Sequence, residues 1–229
     1  MRDRTKSILE GAVKEFIRTG EPITSEHLFD AFEFGIKPAM IRWELKELSR
    51  AGYFSQRHPS GGRFPTNRAY RFYVQSLLGA GVPSMRGSLE RALHGFLGEG
   101  PRELVGEMAD YLGMFSAVYE PRADHVYESG LEDLMAELDL ENRRELMEVI
   151  RDIELLPERI MEQGTWRGER EWPQVFVGGN PFTASRHLSV VAGRVRGGEK
   201  PLLLLAVGPT RMDYEKSLRL FRALCDSVS

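Results

Sequence analysis

The stretch IKPAMIRWELKELSRAGYFSQRHPSGGRFP, residues 36–65, decides the fold. Pro38 suits a first helical position, where its missing N–H would be unpaired anyway. Behind it Ile41, Leu45 and Leu48 step along one face of a helix that Gly52 closes. That spacing buries the stripe and turns Ala39, Met40, Arg42, Trp43 and Lys46 toward other faces. Tyr53, Phe54 and Gln56 then read as a strand, His58 to Gly62 as a tight turn, and Arg63 with Phe64 as the returning strand.

Upstream, Ile8, Leu9, Ala12, Val13, Phe16 and Ile17 form an apolar face of helical period, closed by Gly20. Thr24 or Ser25 caps a second short helix through His27, Leu28 and Phe32, and Gly35 is expected to end it. Three helices followed by a two-stranded flap make a winged helix-turn-helix. Downstream, Tyr70, Tyr73, Val74, Leu77 and Leu78 mark a fourth helix, and GAGVPS at 79–84 reads as a linker. The expected division is therefore residues 1–79 and 80–229.

The second half mixes elements. Helices are expected over 89–97 and 103–112, one or two long ones over 131–161, and a last one over 214–224. Short strands are expected at 115–119, 125–127, 175–177, 188–195 and 202–207. Late strands framed by helices predict an α+β domain, a single antiparallel or mixed sheet with helices on one face.

Charge divides the same way. Residues 1–79 carry 13 Lys and Arg against 9 Asp and Glu, and the rest of the chain 18 against 25. No acid stands between Glu47 and Glu90, an interval that holds Arg50, Arg57, Arg63, Arg68, Arg71 and Arg86. A block of one sign draws a polyanion. The longest apolar run, Leu202 to Val207, is far shorter than the roughly 20 residues of a membrane helix, and residues 1–20 are charged throughout, so a cytoplasmic protein is expected. A single Cys225 agrees with a reducing compartment. No metal-ligand spacing links His27, His58, His94, His125 and His187. No nucleophile, base and orienting group can be paired either, so neither an enzyme nor a bound cofactor or metal is expected.

Several segments together resemble the heat-inducible repressors called HrcA. They are GEPITS at 20–25, IKPAMIRWELKEL at 36–48, RHPSGGRFPTNRAYRFYV at 57–74, VFVGGNPF at 175–182, HLSVVAGRV at 187–195 and VGPTRMDYEKSL at 207–218. The resemblance implies a winged helix followed by a GAF-like α+β domain, a homodimer on an inverted-repeat operator in double-stranded DNA, and control by chaperonin availability. Two departures stand out. The inserted dimerising domain of that family looks deleted here, since the strand near Val118 runs almost directly into HVYESGLEDL at 125–134. The recognition helix also carries Met40 and Trp43 where the family commonly has threonine and asparagine, removing two groups able to hydrogen-bond DNA. A different operator is expected.

The residues expected to meet DNA are Ser25, Lys37, Ala39, Met40, Arg42, Trp43 and Lys46, with Arg57, His58, Ser60 and Arg63 on the wing. Arg42 has the donor fork to grip guanine O6 and N7, and Met40 the surface to touch a thymine methyl. Each has a plainer alternative: an ion pair from Arg42 to a neighbouring carboxylate such as Glu21 or Glu47, Trp43 packed against the domain body, Ser25 as a helix cap rather than a phosphate holder. In GPTRMDY at 208–214 a strand end and a helix start outweigh a ligand site, and NPF at 180–182 reads as a turn. Two other functions compete with the repressor. One is a regulator whose GAF-like domain senses a small molecule in an apolar pocket. The other is a winged helix used for protein contact alone, which the basic interval disfavours.

Overall fold

In the computed structural model, which describes residues 1–58, 61–81, 100–140, 142–164, 173–195 and 201–226, the chain divides into two units, Met1–Ala80 and Gly81–Ser229. Ser60, Arg86 and the helix expected over 89–97 lie outside the described residues.

The first unit is built on the stripe read from the sequence. Helix α1 (Asp3–Thr19) buries Ile8, Leu9, Ala12, Val13 and Phe16. It ends where Gly20, at φ 69°, donates its N–H to the Phe16 carbonyl at 2.8 Å. Helix α2 (Ser25–Ala31) starts under the Thr24 side chain, which accepts from the His27 N–H at 3.1 Å. It stops at Ala31, not at Gly35 as expected. The following aromatics leave the helix to pack instead. Phe32 and Phe34 stack at 5.5 Å, and Phe34 crosses α1 at Gly11, where a Cβ would stand 2.9 Å from its ring.

Helix α3 (Pro38–Arg50) buries Ile41, Leu45 and Leu48. It also buries Glu44, whose carboxylate accepts from the Thr5 hydroxyl at 2.9 Å and faces Arg4 at 3.5 Å. Strands β1 (Phe54–Ser55) and β2 (Phe64–Pro65) pair antiparallel as the wing. Ile23 adds a third position by exchanging two backbone hydrogen bonds of 2.9 Å with Arg63. Helix α4 (Asn67–Ala80) follows and buries Ala69, Tyr70, Tyr73 and Val74.

The second unit holds helix α5 (Pro101–Leu112), strands β3 (Phe115–Glu120) and β4 (His125–Ser129), and helices α6 (Leu131–Glu137), α7 (Arg143–Glu154) and α8 (Leu156–Gly164). Strands β5 (Gln174–Val177), β6 (Leu188–Val195) and β7 (Leu202–Pro209) and helix α9 (Tyr214–Asp226) complete it. The sheet runs β4-β3-β7-β6-β5, every pair antiparallel. The α+β class expected from the sequence is the class observed.

Helices cover both faces of this sheet rather than one. Phe115, Ala117, Leu205 and Val190 pack against Leu134 of α6, Val149 of α7 and Ile160 of α8. The alternate residues meet α5 and α9: Gly193 lies under Phe221, and the Ser189 and Tyr214 hydroxyls bond at 2.8 Å. A strand sandwiched this way is apolar at every position instead of alternating, and β7 is buried from end to end.

The region read as one or two long helices is three. Asn142 caps α7 by accepting from the Arg144 and Glu145 N–H groups, and Pro157, which has no N–H to continue a helix, divides α7 from α8 at Leu155. Just before that break Asp152, 2% exposed, accepts from the backbone N–H groups of Ala184 (2.9 Å) and Ser185 (2.6 Å) and from Arg159 Nη1 (2.6 Å). Arg159 in turn donates to the Phe182 carbonyl at 2.9 Å. The loop between β5 and β6 is thus pinned to the helices, and Asn180 makes its turn by accepting from the Phe182 and Thr183 N–H groups. In the other motif Asp213 caps α9 by accepting from the Lys216 N–H, while Arg211 pairs with Glu137 at 3.1 Å. Among the described residues no helix is long and apolar enough to cross a membrane.

Candidate nucleic-acid interface

At about 100° per residue, Arg42, Lys46, Ala39, Trp43 and Met40 occupy an arc of about 160° on α3. All five are exposed, as is Lys37 just before the helix, while Ile41, Glu44, Leu45 and Leu48 fill the opposite arc. Trp43 is 48% and Met40 43% exposed. The expectation that Trp43 packs against the domain body is therefore corrected. Its position lies outside the buried stripe, and helix geometry outweighs the apolar character of the indole.

Beside this arc the start of α2, the middle of α3 and the wing enclose a cleft of about 310 Å³ lined by Ser25, Glu26, Arg42, Gln56, Gly62 and Arg63. Arg42 is exposed, and its alternative of an ion pair to a neighbouring carboxylate is the one observed, with Glu26 rather than Glu21 or Glu47 as the partner. Its Nη2 meets Glu26 Oε1 at 2.5 Å, and its Nε donates to Ser25 Oγ at 3.4 Å. Ser25 donates in turn to Glu26 Oε2 at 2.9 Å, so the three side chains close a small ring. Glu26's own backbone N–H, the Ser25 hydroxyl and the Arg42 guanidinium hold its carboxyl below the usual carboxylate range. Glu47 is taken by Arg50 at 2.7 Å. Ser25 is not the helix cap, a role Thr24 fills; it is buried and positions Arg42.

Arg63 is the second guanidinium in the cleft. Its backbone is fixed by Ile23, its Nε donates to Ser49 Oγ at 3.2 Å, and it is half-buried at the root of the wing. Burial and the nearby Arg42 charge both lower its pKa. Gly62 lets the wing approach this closely, since a Cβ there would stand 2.5 Å from Pro22 Cβ and 2.8 Å from its carbonyl carbon. Farther out, the Gln56 side-chain amide donates to the Gly61 carbonyl at 2.7 Å, and Gly61 N–H to the His58 carbonyl at 2.9 Å. His58 is exposed, and the Arg57 guanidinium lies 4.9 Å over the Phe64 ring.

Two arginines of the acid-free interval serve the fold. Arg50 pairs with Glu47, and Arg68 donates to the Ala51 carbonyl at the end of α3 at 2.6 Å while lying 4.7 Å over the Tyr53 ring. Sequence reasoning missed Glu26 and Gln56 as members of the site. Glu26 is sixteen residues from its partner, beyond the reach of any helical-spacing rule. Gln56 was read only as a strand residue.

These features define a winged-helix protein carrying a second, sheet-based α+β unit. Residues 67–218 match the family described as the HrcA protein C terminal domain, and the chain belongs to the HrcA family. It is 37% identical over 97 residues to the heat-inducible transcription repressor HrcA of Streptomyces avermitilis, a match covering 42% of this chain and 28% of the relative. It is 45% identical over 75 residues to the repressor of the same name from Leptospira biflexa, covering 33% and 22%. The matched part thus spans about a quarter of the length of these curated relatives. A crystal structure of a hypothetical protein shares the fold with a TM-score of 0.76 at 17% identity, covering 99% of this chain and 97% of that one.

Proposed function

We propose that the chain is a DNA-binding transcription repressor of heat-shock genes that binds an inverted-repeat operator as a dimer. The observation that carries this reading is the exposed arc of α3 standing beside a wing-side cleft with two guanidinium groups, in a chain of the HrcA family. A helix of this kind fits the major groove. In this reading Arg42 grips guanine, Met40 and Trp43 supply apolar contact to thymine methyls, and Ala39 permits close approach. Lys37 and Lys46 meet phosphates. Ser25 acts through Arg42, Arg63 supports the root of the wing, and Arg57, His58 and Ser60 reach the backbone of the adjacent groove. Residues 1–79 read DNA, and residues 80–229 serve pairing and regulation, without catalysis.

Two-fold symmetry in the protein corresponds to an inverted repeat in the operator. The family resemblance adds chaperonin as the controlling partner and the cytoplasm as the site of action. A small-molecule sensor is less well supported, because the sheet interior is filled by its own side chains, Phe182, Leu205 and Val190 among them.

Selection of bound fragments from random duplex DNA with the purified full chain tests the reading. An enriched palindromic site is expected; no enrichment over input refutes it. Arg42→Ala is expected to reduce discrimination at one base position by about 1–3 kcal/mol while salt-sensitive general binding persists. An unchanged ratio of specific to general affinity removes Arg42 from the reading set.

A further inference from the structure

The ring formed by Ser25, Glu26 and Arg42 is unusual in its placement. Glu26 and Arg42 are 60% and 64% exposed, so nothing in the core requires the pair. An exposed ion pair is weak and screened by salt. Yet this one fixes the direction of the guanidinium: Nη2 and Nε both point back at α2, held by a carboxylate and by a buried serine hydroxyl. Arg63 stands close enough for its charge to oppose that of Arg42, leaving the cleft with two cations and one resident anion.

We propose that Glu26 is an intramolecular gate on Arg42, its carboxylate occupying the guanidinium face that a DNA acceptor must take. The inference rests on the reading of α3 as the duplex-contacting helix. Binding then exchanges one anion for another. A duplex engages Arg42 only by displacing Glu26, and only a site presenting a well-placed bidentate acceptor restores both hydrogen bonds that Arg42 gives up; elsewhere Glu26 stays in place. The gate therefore weakens general binding more than specific binding and raises discrimination, which is a specificity role for a residue that touches no base.

The test uses the full-length chain and its Glu26→Gln, Arg42→Ala and double variants, titrated with the selected operator and with a scrambled duplex across a tenfold range of salt. With the gate removed, Arg42 is available to one more phosphate. Glu26→Gln is then expected to steepen the salt dependence on scrambled duplex by about 0.9 in log–log slope, an extra factor of about eight in affinity per tenfold drop in salt. The ratio of operator to scrambled affinity is expected to fall. In the Arg42→Ala background the same substitution is expected to do almost nothing, because its target is gone.

A measurement without DNA keeps the test independent of binding. The Arg42 Nε–H resonance of the free protein is expected to shift in Glu26→Gln, with the far-ultraviolet circular dichroism unchanged. Unaltered affinity and slope in Glu26→Gln overturn the gate, as does an equal effect with and without Arg42, which would be a general charge effect. If instead the wild-type chain shows no salt-dependent affinity for any duplex, the DNA reading itself has failed, and that outcome is visible before any variant is compared.

Discussion

Replacing Asp152 with alanine tests how the second unit holds the loop between β5 and β6. The carboxylate is almost wholly buried and accepts three hydrogen bonds, two from the backbone of Ala184 and Ser185 and one from Arg159, itself mostly buried. Removal leaves a guanidinium without its counter-charge and two N–H groups without acceptors. Breaking a buried pair from one side costs about 3–5 kcal/mol, and a unit of this size loses roughly 10 °C in melting temperature for such a change. Thermal unfolding of the full chain followed by circular dichroism, with amide exchange to assign the transition, measures it. Ala184 and Ser185 are expected to lose protection first. The double variant Asp152→Ala/Arg159→Met is expected to be more stable than Asp152→Ala alone, because the stranded cation is removed with its partner. A loss below about 1 kcal/mol for the single variant, or a double variant that is less stable still, refutes the account of this loop.

Gly62→Ala is expected to push the wing off Pro22, because the new methyl meets the rigid Pro22 ring and its backbone rather than a flexible side-chain tip. Overpacking of this kind costs about 1–3 kcal/mol, and faster amide exchange at Ile23 and Arg63 is the local readout. The Glu15 carboxyl is held below its ordinary 4.5 chiefly by its hydrogen bond to Arg18, with His27 adding to the effect. A lowered folded-state pKa stabilises the fold at pH above the unfolded value, and that contribution is lost as pH falls through the lower folded value. The urea midpoint of the first unit should therefore fall below about pH 4.5 more steeply in wild type than in Glu15→Gln; parallel curves would remove Glu15 from the linkage.

Much of the first unit was legible because its helices announce themselves by spacing. Ile41, Leu45 and Leu48 fixed both the core face of α3 and, by subtraction, the exposed arc that carries Arg42 and Lys46. The same spacing already placed Trp43 outside, and only its chemistry suggested otherwise. The Ile23 bridge was not legible, since one paired residue has no period. The partners that close the cleft and pin the loop were hidden for a related reason. Glu26 meets Arg42 across sixteen positions, and Asp152 meets Ser185 across thirty-three, distances that only the tertiary fold brings together. In the second unit the unbroken run LLLLAV at 202–207 was itself a signal of helices on both faces, because a strand wetted on one side alternates.

The central pairing of the sheet joins β3 to β7, with Phe115 opposite Val207. Ninety-two residues separate these partners, so a chain emerging from the ribosome makes the β3–β4 hairpin long before the strand that flanks it exists. At about 5–20 residues per second, the interval is roughly 5–20 s. Throughout it the edge of β3 that β7 will cover has no strand partner and stands open to pairing with another extended chain.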